Sequence, residues 1–160
     1  MKQVFESERI RFVEVTEELI KDYLAMVNDI ERVARFIGRR TEPITEEQEL
    51  VWVRKKREEK AAIWSMIEKA TSEFIGNIEF MDVRGAEAEL GIAITAKKQN
   101  LGFGREAIRA AVSYAAARFG LKRITLKVYP DNPRALHVYE ACGFRAYDRT
   151  EEDIFMEKMI

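Results

Sequence analysis

Gln99-Asn100-Leu101-Gly102-Phe103-Gly104-Arg105 is a polar loop with two glycines, and it runs straight into an alanine-rich segment. There Ile108, Ala111, Val112, Ala115 and Phe119 recur at i, i+3, i+4, i+7 and i+11, with Arg105, Glu106, Arg109, Ser113 and Arg118 mainly between them. That spacing predicts one buried face of an amphipathic helix. Upstream, Glu87 to Ile94 reads as a strand with Leu90, Ile92 and Ile94 on one side and Glu87 and Glu89 on the other. A strand that feeds a glycine loop and then a helix is suited to anions. The first helical turn leaves N–H groups unpaired, and the helix dipole adds partial positive charge. Glycine matters there because a side chain would hold the anion away from the backbone.

Several anions could use such a loop, so its surroundings must discriminate among them. No Gly-x-x-x-x-Gly-Lys-Ser/Thr is present, which removes a Walker loop. Gly102 to Ala107 does fit the dinucleotide fingerprint G-x-G-x-x-A. However, Thr95-Ala96-Lys97-Lys98-Gln99 separates the strand from the first glycine, and the next strand, Arg123 to Val128, ends without an acidic residue for a ribose hydroxyl. After that strand comes Tyr129-Pro130-Asp131-Asn132-Pro133-Arg134-Ala135-Leu136-His137-Val138-Tyr139-Glu140-Ala141-Cys142-Gly143-Phe144. Asn132 suits an N-cap, Pro133 the first helical position and Gly143 the position past the end, so a short helix is expected with Tyr139 near its centre.

Here the chain resembles the GCN5-related N-acetyltransferases (GNAT). Gln99-x-x-Gly102-x-Gly104 matches the family's pyrophosphate loop, and Asn132-Pro133 through Tyr139 to Gly143-Phe144 matches its second acetyl-CoA motif. The wording is most similar to the branch that holds spermidine acetyltransferases and ribosomal-protein N-terminal acetyltransferases. The resemblance implies an α/β GNAT fold: a mixed, mostly antiparallel sheet with a central parallel pair splayed to hold acetyl-CoA, and helices on both faces. It implies acetyl transfer from acetyl-CoA to a primary amine by direct attack in a ternary complex. The backbone of Gln99, Asn100, Leu101, Gly102, Phe103, Gly104 and Arg105 would hold the pyrophosphate. Ile92, Ala93 and Ile94 would hold the pantetheine, and Asn132 and Tyr139 would stand near the cofactor arm and the sulfur. A phenol with a reference pKa of about 10 stays protonated at neutral pH, so Tyr139 can give a proton to the departing thiolate. For the base, some relatives place a glutamate on the strand that here reads Arg123-Ile124-Thr125-Leu126-Lys127-Val128. That strand has no carboxylate, and Glu89 is the replacement candidate. The acceptor reads as a small polyamine-like or other amine, with a protein N-terminus as the alternative. A non-catalytic acyl-CoA-binding regulator and a nucleotide-binding module are the readings from other classes.

The remainder of the chain fits one domain over residues 1–160, since 160 residues with 47% apolar content can build a sizeable core. Lys and Arg number 27 against 28 Asp and Glu, which argues against non-specific nucleic-acid binding. No apolar run reaches the length of a signal peptide or a membrane span, and the single cysteine, Cys142, fits a reducing interior. A cytoplasmic enzyme with no membrane partner is expected, and a homodimer stays open. One histidine and one cysteine offer no metal-ligand cluster, so no metal is expected. Cys142 reads as a small buried hydrophobe, and His137 as a surface or cofactor-rim residue.

Ile10 to Val15 reads as the first strand. Thr16 caps a helix that buries Leu19, Ile20, Tyr23, Leu24 and Val27, and a second helical stretch is expected over Ile30 to Ile37, ended by Gly38. Thr45-Glu46-Glu47-Gln48 is a capping box for a helix to about Glu59. The basic run Arg54-Lys55-Lys56-Arg57 then falls on a solvated face beside Glu58 and Glu59. Ala62 to Lys69, Phe74 to Val83 and Glu87 to Ile94 read as three sequential antiparallel strands, and closing strands are expected within Phe144 to Ile160.

Overall fold

Eight strands and four α-helices are described by a computed structural model that covers all 160 residues. In chain order they are β1 (Gln3–Glu6), β2 (Ile10–Glu14), α1 (Ile20–Val27), α2 (Glu46–Glu58), β3 (Ile63–Glu68), β4 (Phe74–Arg84), β5 (Glu87–Ile94), α3 (Phe103–Phe119), β6 (Arg123–Val128), α4 (Pro133–Ala141), β7 (Arg145–Arg149) and β8 (Ile154–Met159). All strands join one sheet in the order β1-β2-β3-β4-β5-β6-β8-β7. Every pairing is antiparallel except β5 with β6, which is parallel. The expected mixed α/β architecture, mostly antiparallel with a central parallel pair, is therefore present.

The period-2 alternation of the strands sorts the core into two layers. One face packs Trp64, Met66, Ile78, Phe80, Leu90 and Ile124 against Phe103, Ala107, Ile108, Ala111 and Ala115 of α3. Its alanines carry small side chains, so helix and sheet can approach closely. The opposite face packs Val13, Val15, Ile63, Ile67 and Phe74 against Leu19, Tyr23 and Met26, and against Val53 of α2. The capping box forms: Thr45 Oγ1 accepts from the Gln48 N–H at 3.2 Å, while the Thr45 N–H donates to Gln48 Oε1 at 2.9 Å. Thr16 caps a single 3₁₀ turn, Glu17–Leu19, which leads into α1.

Two expectations fail. The strand expected first, over Ile10 to Val15, is the second: Gln3–Glu6 precedes it, held by pairing with β2 and by Phe5, whose ring stacks on Phe12 and on Tyr114, each at 4.2 Å between centroids. Ile30 to Ile37 is not a helix. It holds turns and one 3₁₀ segment, Ala34–Phe36. Asn28 supplies the reason: its side-chain amide donates to the Ile44 carbonyl at 2.9 Å and accepts from the Ile44 N–H at 2.7 Å. Those bonds pinch residues 28–44 into a closed loop, and a local helical pattern yields to that tertiary constraint.

Candidate active site

The site begins where the parallel pair parts. β5 and β6 pair only through Glu87 with Arg123, Ala88 with Ile124 and Glu89 with Thr125. Beyond that point Leu90 to Ile94 pair with β4 alone, and Leu126 to Val128 with β8 alone. Gly76, opposite Ile94, assists locally, because a Cβ there would collide with the Ala93 carbonyl. The wedge opens into a cleft of about 1500 Å³. Ile92, Ala93 and Ile94 line it, as do Glu89, Gln99, Asn100, Gly102, Gly104, Arg105, Asn132 and Tyr139. The side chains of Leu101 and Phe103 do not: Leu101 is exposed and Phe103 is buried in the core. Any part these two play in ligand binding is confined to their backbone.

The loop before α3 presents its backbone to this cleft. The consecutive N–H groups of Asn100 to Arg105 find no acceptor within the protein. Asn100 at φ 61° and Gly102 at φ 83° take left-handed conformations, a backbone geometry that turns successive N–H groups toward one side. An element missed in the sequence braces the loop from beneath. Arg9 donates from Nη1 to the Leu101 carbonyl at 3.1 Å and lies over the Phe103 ring at 4.3 Å. Glu106 in turn accepts from Ser7 Oγ, the Arg9 N–H and Arg9 Nε at 2.6–2.7 Å. Burial pushes the Glu106 carboxyl up, but these hydrogen bonds outweigh it and hold its pKa below the ordinary value. Gln99 spends its amide on the Ile94 carbonyl at 2.9 Å and the Arg32 carbonyl at 3.1 Å, which positions the strand end.

α4 forms the wall facing β5. Asn132 Oδ1 accepts from the Ala135 N–H at 3.3 Å and Pro133 occupies the first turn, as expected from the sequence. Tyr139 packs edge-on against Phe144 and lines the cleft, and its hydroxyl has no partner from the protein. Burial pushes its pKa up to about 12, with the nearby Cys142 adding to the effect, so the phenol is a proton donor over the whole neutral range. Cys142 is itself buried, and that burial raises its thiol pKa, the opposite of what an activated nucleophile needs. His137 is exposed at the cleft.

The other wall comes from α1, α2 and residues 28–44. Glu89 points to the same face of the sheet as Asn77, Glu79 and Ala93, and Glu79 meets Lys56 at 3.4 Å. A buried relay reaches the cleft here. The Thr16 N–H donates to the Tyr23 hydroxyl, which bonds Ser65 Oγ at 2.5 Å, and Ser65 Oγ donates to Asn77 Oδ1 at 2.8 Å. Glu49 on α2 was not anticipated. It is only 4% exposed yet lines the cleft, and burial raises its pKa. Its place in the first turn of a capped helix disguises it as one more dipole-stabilising acid. The usable signal is its position on the Glu49-Trp52-Val53 stripe, the face that α2 turns inward. Across the cleft, Arg39 makes a two-point ion pair with Asp131 at 2.9 and 3.0 Å and lies over the Tyr129 ring at 3.8 Å. No group of three or more His, Cys, Asp or Glu residues is arranged to hold a metal ion. No helix is long and apolar enough to cross a membrane.

A splayed parallel pair, an unpaired N–H loop at a helix N-terminus and a tyrosine on the facing helix thus meet around one cleft. Residues 9–145 match the Acetyltransferase (GNAT) domain, and the chain belongs to that family. It is 33% identical over 93 residues to a spermidine N(1)-acetyltransferase of Vibrio cholerae, an alignment covering 57% of this chain and 54% of that protein. The chain thus spans about half the length of that relative. Among solved structures, a GNAT-family acetyltransferase from Bacillus anthracis superposes with a TM-score of 0.84 at 21% identity, covering 96% of each chain. A Vibrio cholerae spermidine N-acetyltransferase in complex with CoA and spermine superposes at 0.82, also at 21% identity and 96% of each chain. These last two likenesses are likenesses of fold.

Proposed function

We propose that this chain is an acetyl-CoA-dependent N-acetyltransferase whose acceptor is a primary amine, attacking the thioester directly in a ternary complex. The observation that carries this reading is the run of unpaired N–H groups from Asn100 to Arg105, set at the end of the wedge between β5 and β6. Those donors and the α3 dipole suit a pyrophosphate, and the edge of Ile92, Ala93 and Ile94, unpaired with β6 and occupied only where Gln99 donates to the Ile94 carbonyl, faces the amides of a pantetheine arm. In the reaction the amine nitrogen bonds to the acetyl carbonyl carbon and the carbon–sulfur bond breaks. Tyr139, still protonated across the neutral range, gives its proton to the sulfur as the carbon–sulfur bond breaks. Glu89, on the acceptor side of the sheet, takes the proton from the attacking nitrogen, directly or through a water.

The acceptor is read as a small polyamine-like amine. The Vibrio cholerae relative is named for spermidine, and the acceptor wall carries Glu49, Glu79 and Glu89. The reading takes residues 1–160 as one acetyltransferase domain, supported by the membership of all eight strands in one sheet. The reading includes a cytoplasmic setting, which the lone, buried Cys142 fits. The test is thiol release from acetyl-CoA across a panel of polyamines, monoamines, amino acids and peptides bearing free N-termini. Saturable release with an amine present supports the enzyme, whereas CoA binding without release for every amine leaves a regulator.

A further inference from the structure

Glu49 is the one carboxylate of the acceptor wall that is deeply buried, and no side chain pairs with it directly, although the buried guanidinium of Arg40 acts on it from a distance. It is 4% exposed and it accepts no hydrogen bond, yet it borders the cleft. Glu79 on the same wall has Lys56 at 3.4 Å. Arg40 is the basic group that acts on Glu49, but its guanidinium donates to the Val27 carbonyl at the end of α1 and makes no ion pair. Tyr23 is the other titratable neighbour, and it is committed to Ser65. A carboxylate taken out of water without a partner is costly, so a site that keeps one is shaped for a cation that arrives from outside.

Trp52 supplies a second feature suited to a cation. It stands three residues from Glu49 on the same face of α2 and also borders the cleft. An indole face beside a carboxylate is a favourable environment for an alkylammonium group. We propose that Glu49 and Trp52 form a subsite for a second, non-reacting ammonium group of the acceptor, so that the preferred acceptors are diamines or longer polyamines. The held group is not the attacking one. A carboxylate within a few ångströms stabilises the charged form of an amine, whereas attack on a thioester requires the neutral form. Glu49 therefore anchors one end of the acceptor while the other end reaches the wedge beside Glu89. This is a positioning role.

The inference rests on the acetyl-transfer reading for its wording, but binding tests it separately from turnover. CoA-loaded protein is titrated calorimetrically with spermidine and with 1-aminobutane, which lacks the second ammonium. Wild type should bind spermidine about 10–100-fold more tightly than 1-aminobutane. Glu49→Gln should shrink that ratio by about 10–100-fold, the range of one charge-assisted hydrogen bond, and Glu49→Asp should retain part of it. In the transfer assay, KM for spermidine should rise by a similar factor in Glu49→Gln while kcat falls far less. Thermal unfolding of each variant establishes that it is folded. An unchanged ratio in folded Glu49→Gln, or no preference in wild type, overturns the subsite. Should no amine support thiol release while the binding preference holds, the transfer reading falls and the subsite stands.

Discussion

Gly104→Ala separates the demands of the fold from those of the ligand, because the two respond with opposite signs. Gly104 lies in the first turn of α3 with ordinary helical φ. A Cβ built on it would stand 3.5 Å from Ile94 Cδ1 and 3.6 Å from Val138 Cγ1, normal van der Waals contact. The fold has no need of glycine at this position. Replacing glycine by alanine in a helix gains about 0.5–1 kcal/mol, chiefly from the unfolded chain. For a chain of this size that corresponds to a rise of about 1–4 °C in Tm. The methyl group, however, would project into the gap between Ile94 and Val138, which the proposed function assigns to the cofactor arm on its way from the N–H loop into the wedge. Displacing the phosphates enough to lose one charged hydrogen bond costs about 1.5–3 kcal/mol, or about 10–100-fold in affinity. Calorimetric titration with CoA and a thermal melt, run on the same variant, read both numbers. A raised Tm with undiminished CoA affinity would show that the gap is not the cofactor path. Gly102 serves as the contrast: at φ 83° its replacement by alanine should lower Tm as well as affinity.

Tyr139→Phe should leave CoA affinity in place and lower turnover by about 10²–10⁴-fold, nearer the lower end because a thiolate already leaves readily; a loss of only a few-fold would mean that another donor serves the sulfur. Glu89→Gln should depress the saturating rate more at pH 7 than at pH 10, where an amine of reference pKa about 10.4 increasingly arrives neutral, and a uniform loss across that range would reduce Glu89 to positioning. Glu49→Gln should raise Tm at neutral pH. The folded-state pKa of Glu49 is raised by burial, so the folded form favours the protonated acid, and ionisation costs stability as pH climbs above the unfolded value of about 4.3. The difference between variant and wild type should accordingly grow from pH 4 upward, and parallel Tm curves would mean that the carboxylate finds compensation.

The elements that define the wedge were legible because their signals are local. The α3 stripe of Ile108, Ala111, Val112 and Ala115 is buried as its spacing requires, and Asn132, Pro133 and Gly143 bound α4 by chemistry confined to a few residues. β1 escaped because four residues of alternation carry little information. Its strand character comes from β2 and from the ring of Tyr114, more than a hundred positions away. The misread segment at Ile30 to Ile37 has a sound helical pattern overruled by Asn28 reaching Ile44. Arg9 and Glu106, which brace the glycine loop before α3, are ninety-seven positions apart, and nothing in the spacing of either announces the other. Glu49 was hidden differently. Its helix was read correctly, but which of its acids turns inward depends on how α2 docks against the sheet.

The parallel seam between β5 and β6 has a mechanical side. Three paired residues span only about 10 Å, so the sheet is two plates, β1 to β5 and β6 to β8, hinged along a short line. Torque on such a joint is resisted most effectively far from its axis, and the Arg39–Asp131 ion pair spans the opposite walls of the wedge. Arg39 holds the Asp131 carboxyl below its ordinary pKa, so the tie persists throughout the neutral range. It is also half-exposed, and therefore weakened by salt. A bond of modest energy thus ties the two walls of the wedge away from its seam, and raised ionic strength is expected to loosen that tie without altering a residue of the site.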